Sequence, residues 1–146
     1  MSEVHLVAGV AVLALNLLAG LWGAVAWIAN RPSVSFWYLL RAAQISVVVQ
    51  VLLGGLLLVA GREAIDGWHY MYGIAPLIVN LFAEGMRAGA AQREVPDDVE
   101  FGALPAGTQR TIALQIVRRE MGIMTFASLL IVAFALRAAQ TSGQMF

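Results

Sequence analysis

The chain contains no cysteine and no lysine. Without cysteine there are no disulfides, no thiolate metal sites, no iron–sulfur clusters and no CxxCH attachment of c-type haem. Any cofactor must therefore be held without a covalent link, by His, Met, carboxylate or backbone groups. Charge is scarce too: 12% of the 146 residues are charged, and the formal net charge is zero. No basic field of the kind that binds nucleic acid is present, and no nucleic-acid partner is expected. Histidine occurs only twice, as His5 and His69.

What the chain has instead is apolar sequence. Sixty per cent of its residues are hydrophobic (60%), and its mean hydropathy is +0.78. Soluble domains are about 45–50% apolar and about a quarter charged. So few charges cannot solvate the surface of a water-soluble globule. Apolar runs of the roughly 20 residues that cross a bilayer as a helix recur along the chain. They predict an all-α integral membrane four-helix bundle, up-down-up-down, in one domain covering residues 1–146. The predicted helices cover residues 4–29, 36–60, 68–87 and 108–138, with a polar loop at 88–107. The first span is read as retained rather than as a signal peptide, because it lacks a basic leader and is too long.

Arginine placement sets the expected direction. Arg31, Arg87, Arg93, Arg110, Arg118 and Arg119 fall on one side, with Arg41 just inside it, whereas Arg62 and Arg137 fall on the other. The positive-inside rule puts the arginine-rich side and the long loop in the cytoplasm. Both termini are then extracytoplasmic, and the expected location is the cell inner (plasma) membrane. Aromatic residues mark the two boundaries: Trp27, Phe36, Trp37 and Tyr38 on one side, Trp68 and Tyr70 on the other.

Polar groups within a bilayer are costly and face the bundle interior. The informative ones are His5, Asn16, Gln44, Gln50, His69, Asn80 and Glu84. The first and third spans share the pattern H-x3-G-x6-N, as His5, Gly9 and Asn16 and as His69, Gly73 and Asn80. Both helices run in the same direction, so the two imidazoles lie at one depth. On each helix a Gly follows one turn below the His, and an Asn about 16 Å below it, on the same face.

Such a face suits a bis-His haem. Neutral imidazole is a good iron ligand, and a Gly beside each ligand leaves room for a flat macrocycle. The expected ligands are His5 and His69, each wanting an acceptor for its second ring nitrogen: Glu3, Tyr70 or a backbone carbonyl. A plainer reading uses the same residues: interfacial histidines bonded to water, and glycines that let helices pack closely. A two-His copper or zinc site would want further ligands. On the arginine-rich side, Arg41 and Glu84 are expected to pair, and Pro76 to bend the third helix, with Asn80 or Ser46 satisfying the freed carbonyl. Glu84 also admits a proton-relay or transport reading.

Gln50-Val51-Leu52-Leu53-Gly54, followed by a short loop and Trp68-His69, resembles the haem A synthase family. That family is built from two four-helix halves, each with facing His residues at the extracytoplasmic end. The resemblance covers roughly the first three helices, on the scale of one half. It implies haem ligation by His69, with His5 as partner by position, and a pocket lined by Gln50 and Gly54. The chain departs from the family in having four helices, Glu3 only two residues before His5, and Leu6 where the family has Arg. It therefore implies haem binding without haem A synthesis. Cytochrome b561-type bundles are similar in architecture alone. The expectation is a membrane protein holding haem b non-covalently through His5, Gly9, Gln50, Gly54, His69 and Gly73, for electron transfer, haem carriage or haem sensing. Its expected partners are the lipid bilayer and possible redox partners, a quinone or a protein; self-association is also open. The alternatives are a cofactor-free scaffold or accessory subunit and a small transporter using Glu84.

Overall fold

A computed structural model describes residues 2–64, 66–94 and 100–142. The main elements are α1 (Ser2–Ile28), α2 (Val34–Val59), α3 (Trp68–Ala88), a short α4 (Ala90–Glu94), a 3-10 turn (Phe101–Ala103) and α5 (Ala106–Thr141). The four long helices form the expected up-down-up-down bundle. Their boundaries lie within three residues of those predicted, and the loop expected at 88–107 contains α4 and the 3-10 turn. Pro96, Asp97 and Asp98 of that loop lie outside the described residues.

Two helix ends are set by the same local device. Asn30 (φ 51°) and Gly61 (φ 73°) adopt the left-handed conformation. After each of them the next N–H reaches back to close the last turn, Arg31 to the Ala26 carbonyl at 2.9 Å and Arg62 to that of Leu57 at 3.0 Å. This is the Schellman end of a helix. Ser33 then caps α2, its hydroxyl accepting from the Phe36 N–H at 3.3 Å and from Trp22 Nε1 at 2.9 Å.

The distribution of residues is that of a membrane protein. Large apolar side chains face outward: Ile28 is 74% exposed, Phe82 71% and Val59 88%. The interior holds small and polar residues, including Ala19, Ala43, Asn16, Asn80, Thr125 and Ser128. With lipid as solvent, close packing and internal polar contacts join helices, and apolar surface is left outside. The helices α1, α2 and α5 are each long and apolar enough to cross a bilayer. The shorter α3 carries the polar interior face, yet it follows α5 along its length. His69 meets Ala138 at one end and Arg87 meets Glu120 at the other. Eighteen residues separate its two ends (His69 to Arg87), a rise of about 27 Å that matches a hydrocarbon core.

Around the bundle, α1 packs on α2 and α5, and α3 packs on α5 and α2, so α1 and α3 stand at opposite corners. Pro76 is buried within α3. Neither expected partner serves its freed carbonyl. The Ser46 hydroxyl donates to Ala43 on its own helix at 2.6 Å, as short hydroxyl side chains do, and Asn80 Nδ2 has no partner among the described residues.

Candidate functional site

The diagonal placement of α1 and α3 brings the two histidines together across the bundle axis. The ring centroids of His5 and His69 lie 6.1 Å apart with an interplanar angle of 64°. Both rings are half-buried. Each is held by a helix that carries no histidine.

On His5, Nε2 lies 3.2 Å from Gln50 Nε2 on α2, and Nδ1 is buried without a partner. On His69, Nδ1 lies 2.9 Å from the Ala138 carbonyl oxygen on α5. A carbonyl only accepts, so this nitrogen carries the proton and Nε2 keeps the lone pair. Each imidazole thus has one nitrogen engaged by its scaffold and one without a partner among the described residues. A backbone carbonyl was one of three acceptors expected from the sequence. Tyr70, another, is engaged elsewhere, its hydroxyl accepting from the Ala64 N–H at 2.8 Å.

The glycines divide the labour differently from the sequence expectation. A methyl at Gly9 would stand 3.2 Å from Gln50 Nε2, and one at Gly54 would stand 3.3 Å from His5 Cε1. Gly9 therefore makes room for the glutamine amide, and Gly54 for the His5 imidazole. Gly73, unlike Gly9 and Gly54, has nothing within 4 Å of an added methyl, as is also true of Gly55 on α2. Gln50 Oε1 is buried and unpartnered like His5 Nδ1. Turned end for end, the Gln50 amide would accept from His5 Nε2–H and leave Nδ1 as the free lone pair.

The two imidazoles are the residues that could hold a cofactor here, His69 through Nε2 and His5 through Nδ1 once the Gln50 amide is turned. Among the described residues no group of three or more His, Asp or Glu side chains could hold a bare metal ion.

The other polar constellation lies toward the arginine-rich side. Glu84 Oε1 accepts from Arg41 at 2.6 Å and Gln44 at 2.8 Å, and Oε2 from Arg87 Nε at 2.8 Å. Arg87 also approaches Glu120 at 3.9 Å and lies 5.9 Å from the Trp37 ring centre. The expected Arg41–Glu84 pair is present. Gln44, Arg87, Trp37 and Glu120 were not foreseen as its companions. Asn16 and Asn80 are buried between the two constellations, and Asn16 Nδ2 donates to Val12 within its own helix at 2.9 Å.

Compared with protein-family models, curated proteins and solved structures, the chain matches none of them.

Proposed function

We propose that this chain is a membrane b-type haem protein in which His5 and His69 are the two axial ligands of a single haem near the end of the bundle that carries the N-terminus. The observation that carries the reading is the facing imidazole pair. The ring centres stand 6.1 Å apart, near enough for both imidazoles to hold one metal-centred group between them. Gln50 and the Ala138 carbonyl orient the rings, as outer partners of metal-binding histidines do.

Bound haem iron supplies one-electron redox chemistry, and two imidazole ligands leave no open position for small-molecule activation. The chain's own residues would then fix the ligand set, with Gln50 and the Ala138 carbonyl holding the two rings. That supports electron transfer, haem carriage or sensing over catalysis at iron. A single haem does not span the membrane, so electron transfer calls for a quinone, a redox protein or a second copy. The arginine excess supports a cytoplasmic placement of the α3–α5 connection, with the haem toward the extracytoplasmic face of the plasma membrane. The transporter reading is weakened because Glu84 is already held by Arg41, Gln44 and Arg87.

The test is haem content. The detergent-purified protein, expressed with haem supplied, is expected to give one haem per chain as its pyridine haemochrome. A colourless preparation that also fails to take up added haemin would overturn the proposal and leave a cofactor-free scaffold.

A further inference from the structure

At the arginine-rich side, α1 ends at Ile28 while α5 continues beyond it. Trp27 abuts Gly122, and the residues of α5 before that point run on past the last turn of α1. The left-handed turn at Asn30, followed by Pro32, keeps the chain beside α5 before it enters α2. A cavity of about 260 Å³ results between the end of α1 and this stretch of α5, lined by Trp27, Asn30, Arg31, Leu114, Gln115 and Arg118 among others.

Two features distinguish it. First, Arg31 and Arg118 both line it, and among the described residues neither has a carboxylate partner. Arg41 and Arg87 on the same side, in contrast, are paired with Glu84. Two guanidinium groups with amide donors beside them are suited to an anion, and guanidinium is the group fitted to bidentate contact with phosphate. Second, the cavity sits beside lipid-facing surface. Trp27 and Leu114, which line it, are 41% and 46% exposed. Trp27 marks the interfacial level, where aromatic residues concentrate. A phosphate placed here would have apolar surface next to it running toward the bilayer core.

We propose that this cavity binds the headgroup phosphate of an anionic phospholipid, with Arg31 and Arg118 as the charged contacts and the acyl chains running past the exposed Trp27 ring toward the bilayer core. Basic recesses between transmembrane helices recognise anionic lipids by this combination. The proposal is independent of haem binding.

The test uses the delipidated full chain in nonionic detergent, probed by native mass spectrometry with phosphatidylglycerol, phosphatidylcholine or inorganic phosphate. Phosphatidylglycerol is expected to remain bound at a concentration about tenfold or more below that needed for phosphatidylcholine. The double variant Arg31→Gln/Arg118→Gln should lose that preference, and Arg62→Gln, at the opposite end of the bundle, should keep it. Equal binding of the two lipids, or an unchanged preference in the double variant, would overturn the proposal. Inorganic phosphate displacing phosphatidylglycerol at equal concentration would overturn the lipid assignment, since the apolar contacts would then contribute nothing.

Discussion

His69 Nδ1 lies 2.9 Å from the carbonyl oxygen of Ala138, so the last helix, which has no histidine, fixes the tautomer and direction of the ring that faces His5. Nε2 is then the nitrogen that would ligate under the proposed function. If both rings ligate, His5→Ala and His69→Ala should each lower retained haem more than about tenfold. Both rings are only half-buried, so the helical circular-dichroism signal should survive either change. Full haem retention in His69→Ala would contradict the assignment.

Gln50 is an orienting residue. Its amide lies 3.2 Å from His5 Nε2, in a space kept open by Gly9. Gln50→Leu should weaken haem affinity by about 10–100-fold, the usual cost of losing an outer partner of a metal-binding histidine. At saturating haem the spectrum should stay six-coordinate. Titration with haemin separates the two quantities, and a changed ligand set would place Gln50 in the first coordination sphere instead.

The glycines differ in what an added side chain would meet. A methyl at Gly54 would stand 3.3 Å from His5 Cε1, whereas one at Gly73 would touch nothing within 4 Å. Gly73→Ala should therefore leave the haem-free fold intact and raise its stability by up to about 1 kcal/mol through helix propensity. Gly73→Leu should fold equally well but exclude haem. Gly54→Val should disturb His5 even in the haem-free protein. Nuclear magnetic resonance of the imidazole protons and thermal unfolding report the two outcomes.

Glu84 is predicted to be structural. It accepts from three donors, but the Arg41 side chain is 49% exposed and that of Glu84 30%, so solvent screening discounts the ion pairs. Glu84→Gln should destabilise the bundle by about 1–3 kcal/mol in mixed-micelle unfolding, with no movement of the haem spectrum. A spectral shift with unchanged stability would instead link Glu84 to the haem site.

Much of this arrangement was legible in the residues. Apolar run length and the punctuation at Asn30-Arg31-Pro32 and Gly61-Arg62 give the helices, because left-handed ends leave a sequence mark. His5 and His69 share a depth because both open helices that run in one direction, and Glu84 lies within reach of Arg41 for the same reason of register. Helix rotation was not legible. Nothing in the spacing says that Gly9 receives Gln50 while Gly54 receives His5, since a glycine has no side chain to reveal which neighbour it admits. The Ala138 carbonyl is equally silent, because every residue carries one. Arg31 and Arg118, 87 residues apart in sequence (118 minus 31), line one cavity only because α5 outruns α1.

The most direct test of the central claim is the reduced-minus-oxidised visible spectrum of the purified protein beside His5→Ala and His69→Ala. A low-spin bis-imidazole haem predicts sharp α and β bands in the parent that disappear in both variants. No Soret band in the parent, or α and β bands that persist in either variant, would contradict the claim that His5 and His69 hold a haem between them.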